Sequence, residues 1–531
     1  MGVKGLSSWV FTNCPSLGTL VTPSKLIIDG NSFIHHLLHD APDHVVMRLK
    51  LIQFISKLQD SDCSAIIVFD GLRPDSKTLT RVGRCQQLIY TLSDALTGRR
   101  RYGKPNPGLS PIIIPCCVQT FQSYNIPVHL STQEADLEIA QLAREHDAFV
   151  VSNDSDFYIL DTPGFIHLSH FSWKQSPTVQ GKMVTRSMIA NALNIKLHLL
   201  PLFAVLVGCD YSPPSMHMDM AIAGLRGIDL EMEKVVRSMV HDSKEEERLL
   251  LAVQGYDLDS KPASMSRFQG VNEACVQGYY HPHLLQIELN SVFWCKPFMQ
   301  DMQQASAWDV SAIVRRHVYG LMGQGKCKEY IRKGNTFLGI DVYGTHFPKA
   351  PDRTWESFYA LLDSSVLSNH ELPMHYLPWT LAIRLLIQES FKMRRPIRDY
   401  EVSALVCAGI LSHSFYKSET VPSTPSTPSR RSLHLQAQME TLLFCLFLLD
   451  QSLLRLPNSF KADSLARDAF FWEALDPKMI YKCVQMTRGG AQSDRILASD
   501  SHRKDYLILV KAVLDGGNWE KIEDVVGSFS I

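Results

Sequence analysis

Two short β-rich runs near the start of this chain close on the same dipeptide: Lys25-Leu-Ile-Ile-Asp29-Gly30 and Ala65-Ile-Ile-Val-Phe-Asp70-Gly71. Further candidate strands follow at Ile126–Leu130, Ala148–Ser152 and Phe165–Leu168. Between them, Met47–Leu58 and Glu134–Glu145 carry apolar residues at helical spacing. Strand and helix in that alternation predict an α/β core, a parallel sheet covered by helices. In such a sheet the carboxyl ends of the strands line the ligand crevice, so Asp29 and Asp70 are expected to face one mouth.

From about Leu225 onward the strand signal fades, and amphipathic segments such as Leu230–Val240 and Trp379–Phe391 predict a mainly α-helical second half. The stretch Lys417–Ser432 holds Val-Pro-Ser-Thr-Pro-Ser-Thr-Pro-Ser-Arg-Arg, too polar and proline-rich to pack, and reads as a flexible linker. A chain of 531 residues exceeds what one hydrophobic core serves. The expected division is residues 1–225, 226–416, a Ser/Thr/Pro-rich linker at 417–433, and a helical region at 434–531. With 53 basic and 54 acidic side chains the net charge is −1, so any attraction to nucleic acid must come from local patches. The twelve cysteines form no C-x-x-C pair, which suits a reducing compartment, and no zinc site is expected. The opening residues imply no export signal or lipid anchor. The most hydrophobic run, Leu442–Leu449, is shorter than the roughly 20 residues a membrane span needs and is expected as a buried helix.

More carboxylates join the first two. Phe149-Val-Val-Ser152 runs into Asn153-Asp154-Ser155-Asp156, at the same expected sheet edge. Gln133-Glu134-Ala135-Asp136 opens a helix, whose amino-terminal dipole tolerates negative charge. Leu206-Val-Gly-Cys-Asp210 ends an apolar helical run. Taken singly, each aspartate has an ordinary role as a cap or turn residue. Together, seven carboxylates in one cleft would raise one another's pKa values unless cations neutralised them. Oxygen donors without histidine or cysteine favour Mg2+ or Mn2+. Two such ions clamp a phosphodiester, one activating water and the other stabilising the leaving oxygen.

In order and spacing, these motifs resemble the flap endonuclease and xeroderma pigmentosum group G (XPG) superfamily, which shares a PIN-like nuclease fold. The long second half looks most like its Asteroid branch. The match covers about residues 1–212, beginning at Met1-Gly2-Val3-Lys4-Gly5-Leu6, and in that family the amino terminus lies near the active site. The resemblance implies that Asp29, Asp70, Glu134 and Asp136 surround one metal ion and that Asp154, Asp156 and Asp210 hold a second. It also implies a helical arch over about residues 71–118 that steers a single strand. From Gly71 to Lys104, the basic residues Arg73, Lys77, Arg81, Arg84, Arg99, Arg100, Arg101 and Lys104 face only Asp75 and Asp94. Lys77 and Arg84 match the arch's phosphate-contacting positions, and His35 stands where the family stacks a tyrosine on a base. Gly2, Arg81 and Arg99–Arg101 complete the expected nucleic-acid contacts, and the run at Arg99 fits nuclear import. Asp136 replaces a family glutamate with a shorter reach. Arg226-Gly227-Ile228-Asp229 lacks the second glycine of the family's duplex-gripping hairpin, so no potassium site is expected.

The implied activity is a metal-dependent endonuclease cutting DNA at single-strand/double-strand junctions, flaps or overhangs, in DNA repair in the nucleus. Two alternatives stay open: an RNA-directed nuclease, and a PIN-like scaffold binding RNA or protein partners through the helical half.

Overall fold

The computed structural model describes residues 2–38, 44–72, 77–97, 108–131, 135–174, 176–209, 212–239, 242–259, 281–349, 351, 354–416, 429–454, 477–488, 497 and 499–515. The chain folds as two compact units, Met1–Leu37 with Lys50–Arg73 and Phe121–Tyr279, and Leu38–Leu49 with Pro74–Thr120 and Tyr280–Ile531.

The first unit is built on a seven-stranded sheet. Its strands are β1 (Thr19–Val21), β2 (Lys25–Asp29), β3 (Ser64–Phe69), β4 (Val128–Leu130), β5 (Phe149–Ser152), β6 (Phe165–Ser172) and β7 (Gln180–Val184), in the order β1-β7-β6-β5-β2-β3-β4. Five strands, β6-β5-β2-β3-β4, are parallel, as the alternation predicts. The antiparallel additions β7 and β1 at one edge were not foreseen. Both sheet faces are covered. Ile27, Val68 and Val150 pack with α1 (Leu6–Asn13) and α6 (Ala135–His146). On the other face, Phe54 of α3 (His44–Asp60) meets Phe33 of α2 (Gly30–Leu38) at 4.7 Å between ring centroids and Trp173 at 5.3 Å. Burial on both faces is why these strands read as apolar runs with little alternation.

The second unit is rich in helices, and it also holds a three-stranded sheet of β8 (Val292–Trp294), β9 (Lys326–Lys333) and β10 (Thr336–Tyr343), in the order β10-β9-β8. β9 and β10 form an antiparallel hairpin, and β8 runs parallel to β9. The helix α4 (Thr78–Thr97), expected as part of an arch on the nuclease domain, packs on this sheet instead. Its apolar face explains the difference: Cys85, Ile89 and Leu92 bury against Trp294, Met302 and Phe337. Gln86 fixes the register, donating to Asn335 O at 2.7 Å and accepting from Phe337 N at 2.8 Å. α5 (Ile113–Ser123) follows in sequence.

The expected boundary at residue 225 is also displaced. Helices Met218–Leu225, Met232–Met239 and Ser243–Gln254 bury Ala221, Leu225, Val235, Val236 and Leu249 in the core beneath the first sheet, so the first unit runs on to Tyr279. Most of the expected linker lies outside the described residues, but its end at Arg430–Leu433 is already helical within Arg430–Leu454. That helix is long and apolar enough to cross a bilayer, yet Leu442, Leu446 and Leu449 are fully buried within the unit. It is a core helix.

Candidate metal centre

The order of the strands decides where a site can form. From β2 the chain moves outward to β3 and β4, then crosses back to place β5 on the opposite side of β2. Where the winding reverses, the connections leaving two neighbouring strands diverge and open a crevice at their carboxyl ends. The two strands flanking this crevice are β2, which ends at Asp29, and β5, which runs into Asp154 and Asp156. Asp70 follows the neighbouring strand β3, and Asp136 stands in the first turn of α6, which packs on β2 and β5.

Short hydrogen bonds hold this edge. Asp29 accepts from Ser32 N at 2.9 Å and from Ser152 Oγ at 2.6 Å. Ser152 Oγ also accepts from Asp154 N at 3.0 Å, so one hydroxyl links the ends of β2 and β5. Asp154 Oδ1 in turn accepts from Asp156 N at 3.1 Å, capping the short 3-10 turn Ser155–Tyr158. Asn31 donates to Asp70 Oδ2 at 2.7 Å. Each carboxylate is thus oriented by a neighbour that leaves it another oxygen or lone pair to present.

The start of the chain closes against the same place. Gly2 has φ of +75°, and a Cβ built there would stand 2.1 Å from Asp154 Oδ1 and 2.6 Å from Asp156 N. Any side chain would displace the carboxylate, so glycine is required by space as well as by backbone conformation. Ser155 Oγ donates to Val3 O at 3.0 Å, and Lys4 N donates to Gly208 O at 2.8 Å, which pins the amino terminus between β5 and the end of α8 (Leu200–Val207). A seventh helix, α7 (Arg186–Leu193), precedes it.

Among the described residues, Asp136, Asp154 and Asp156 form the one group able to share an ion, with an oxygen from each within 4.8 Å of the others. Burial pushes the Asp136 carboxyl well above the ordinary aspartate range, and Asp154, Asp70, Asp29 and Asp156 push it further the same way. Asp29 is raised too, by burial and then by Asp70. Carboxylates packed so closely stay ionised only with a cation among them. The donor set fits a hard divalent ion: all oxygen, two of the three carboxylates buried, and anchored from behind.

Tyr256 was not legible as a site residue. Its hydroxyl donates to Asp156 Oδ1 at 2.7 Å, and burial followed by the Asp156 charge pushes its pKa well up. It stands just past the helix Ser243–Gln254, in Gln-Gly-Tyr-Asp, which reads as an ordinary helix stop, so only the folded chain reveals the contact.

Of the seven expected carboxylates, the structure gathers Asp29, Asp70, Asp136, Asp154 and Asp156 at one edge. Glu134 and Asp210 lie outside the described residues, as do Arg99, Arg100 and Arg101. The tightest three come from both of the metal sets the resemblance implies. His35 is exposed on α2. Lys77, Arg81 and Arg84 belong to the second unit, at helical spacing along one side of α4, with Lys77 and Arg81 half-buried and Arg84 exposed. Gly227 takes φ of +75° between the helices Met218–Leu225 and Met232–Met239.

Comparison with known proteins adds three findings. Residues 87–342 match a family model described as XPG domain containing. The chain is 26% identical over 383 residues to the zebrafish (Danio rerio) protein named single-strand DNA endonuclease ASTE1, covering 61% of this chain and 55% of that one. It is 24% identical over 244 residues to the human constitutive coactivator of peroxisome proliferator-activated receptor gamma, covering 41% of this chain and 26% of that one. The chain therefore spans about half the length of the first curated relative it matches. Among solved structures, the catalytic core of Rad2 aligns at 15% identity and a TM-score of 0.30, over 52% of this chain and 86% of that one.

Proposed function

We propose that the chain is a member of the flap endonuclease and XPG superfamily, most like its Asteroid branch, and, from that premise, a metal-dependent endonuclease hydrolysing DNA at single-strand/double-strand junctions or overhangs. The observation that carries this reading is the like-charged group of buried Asp154 and Asp156 with half-buried Asp136, at the reversal point of the sheet's parallel strands. Two divalent ions, Mg2+ or Mn2+, would supply charge stabilisation to the phosphate and lower the pKa of an attacking water. Asp136, Asp154 and Asp156 are the residues we assign to hold them, with Asp29 and Asp70 completing the rim and Glu134 and Asp210 assigned by resemblance alone.

The protein's own part is positioning. Ser152 and Ser32 fix Asp29, and Ser152 with the Asp156 amide fixes Asp154, so the oxygens are set before an ion arrives. Gly2 lets the backbone press against Asp154 and exclude water from that side. Lys77 and Arg84 remain our candidates for orienting the scissile phosphate, and His35 for contacting a base. DNA repair in the nucleus is the setting we propose for this activity.

A second reading, a scaffold that binds without cutting, is favoured by the relative named as a constitutive coactivator of peroxisome proliferator-activated receptor gamma. One panel of end-labelled substrates separates the readings: 5′ and 3′ overhangs, flaps and hairpins, in DNA and in RNA, incubated with Mg2+. The nuclease reading expects cleavage near junctions in DNA that disappears in Asp154→Ala/Asp156→Ala. Cleavage persisting in that variant would remove the site assignment. Failure of the wild type to cut any substrate, with no Mn2+ bound by calorimetry, would establish the scaffold.

A further inference from the structure

The sheet of the second unit has an outward face that its helices cover only in part. Along β9, Cys327, Glu329 and Ile331 turn inward and are buried, so Lys326, Lys328 and Tyr330 turn outward. Their partners across the hairpin are Tyr343, Asp341 and Gly339. α4 covers the end of this face at Phe337 and Trp294. The other end stays open: Tyr343 is 66% exposed, and Lys326 and Lys328 are exposed beside it.

On this face cations and rings alternate in contact. The Arg81 guanidinium carbon stands 5.4 Å from the centre of the Trp294 ring. Trp294 stacks on Tyr330, centroids 4.1 Å apart and planes 10° from parallel. The Lys328 ammonium stands 5.8 Å from the Tyr330 ring centre. Gly339 makes this possible, because a Cβ there would come within 2.9 Å of Lys328 Cε and 3.1 Å of Tyr330 Cε1. The tyrosine and the lysine stem therefore lie flat across a bare stretch of β10. Arg84 is exposed on the next part of α4, and Asp341 is engaged by Lys326 at 2.7 Å.

We propose that the open end of this face, from Tyr330 to Lys328 and Tyr343, with Arg81 at its covered end and Trp294 buried behind Tyr330, is a binding track for single-stranded DNA built within the second unit. The proposal rests on the nucleic-acid reading above. Its physical basis is the pairing of two features that polyanionic single strands need and that a docked protein helix would not. Flat tyrosine rings accept any base by stacking, and fixed cations between them meet the phosphates. Lys326 is held by Asp341 at 2.7 Å, so Lys328 is the cation that meets a phosphate beside Tyr343. A guanidinium already stacked on an indole loses little freedom when it binds phosphate.

The test is fluorescence anisotropy of a labelled 20-nucleotide oligo-dT with the full chain in EDTA, repeated across a KCl series. Tyr343→Ala and Lys328→Gln are surface changes, and thermal melts check that each variant folds. The double variant is expected to bind about 10-fold more weakly. Lys328→Gln is expected to reduce the slope of log K against log [salt] by about 0.7, whereas Tyr343→Ala leaves the slope unchanged. Wild-type affinity and slope in the double variant would overturn the proposal. So would an oligo-Glu peptide competing as well as oligo-dT, or binding confined to oligo-U. Asp154→Asn/Asp156→Asn serves as the control: cleavage absent in every form while oligo-dT binding still depends on Lys328 and Tyr343 would defeat the nuclease reading and leave this track standing.

Discussion

The two units bury charge in opposite ways. In the first, the buried charges at the sheet edge share one sign: Asp29, Asp154 and Asp156, with Asp136 beside them, are kept together by hydroxyls, amides and a tyrosine. In the second, Glu329 and Glu401 each meet an arginine, and Arg332 and Arg384 meet sets of carbonyls. Arg315 makes a two-pronged contact with Glu329 at 2.8 and 3.0 Å, and Tyr319 donates to the same carboxylate at 2.6 Å. Arg431 grips Glu401 through two bonds of 2.8 Å. Arg384 caps the end of helix Asp500–Leu514 by donating to the carbonyls of Ala512, Val513 and Asp515. The pKa directions follow: burial works to raise Glu329, but Arg315 outweighs it and holds that carboxyl low, whereas Asp136 has acids around it and stays high. Self-neutralised charge belongs to the scaffold, and charge left with one sign awaits something from outside.

The sharpest way to break this comparison is to remove carboxylates from each unit. Asp154→Ala/Asp156→Ala is expected to lower cleavage by on the order of 10³-fold or more, because the metal's charge stabilisation is lost with its ligands. In EDTA its melting temperature should equal or exceed that of the wild type, since like charges have been removed. Glu329→Ala should do the reverse, costing about 3–5 kcal/mol in denaturant unfolding by stranding Arg315. Replacing both partners with apolar residues should recover most of that loss. A stable Glu329→Ala, or a collapsed Asp154→Ala/Asp156→Ala, would erase the distinction.

Tyr256→Phe removes one hydrogen bond to Asp156 without changing shape, and Mn2+ affinity measured by calorimetry is expected to fall about 10- to 100-fold. Unchanged affinity would make the tyrosine a packing residue. The smallest effect concerns pH. Because the folded-state pKa values of Asp29 and Asp136 are raised, the metal-free folded chain holds more protons than the unfolded one. From the ordinary aspartate value of 3.8 upward to those raised values, stability should therefore decline as pH rises. The slope is at most about 1.4 kcal/mol per pH unit for each group, and saturating Mg2+ should flatten it. Melting curves from pH 4.5 to 7 with EDTA or Mg2+ read this directly, and identical profiles would mean that no ion occupies the site.

The sequence revealed the parallel core because its strands, buried on both faces, are written as apolar runs, β2 and β3 running straight into an aspartate, and each of the five expected strands is present. It concealed the second sheet for a physical reason. In β9, Lys-Cys-Lys-Glu-Tyr-Ile-Arg-Lys looks like a solvated segment, yet Glu329 and Arg332 are buried because Arg315 neutralises one and backbone carbonyls receive the other. A charge pattern cannot show partners that arrive from elsewhere in the chain. The same holds for α4: its basic stripe was plain in the sequence, but the Cys85, Ile89 and Leu92 face that seats it on Trp294 and Phe337 needed the sheet to give it meaning. Tyr256 reaches Asp156 across a separation of 100 residues, which no local motif encodes.

The hydroxyl of Ser152 ties the ends of β2 and β5 together across 123 residues of chain. A ribosome must therefore deliver β3, β4 and α6 before β5 can slot in beside β2, and closing so long a loop is a late and slow event in folding. Until then Asp154 and Asp156 have no Asp29 or Asp136 to meet. The pocket is thus timed by topology, and a half-made chain carries the acids without the cluster in which they could share an ion.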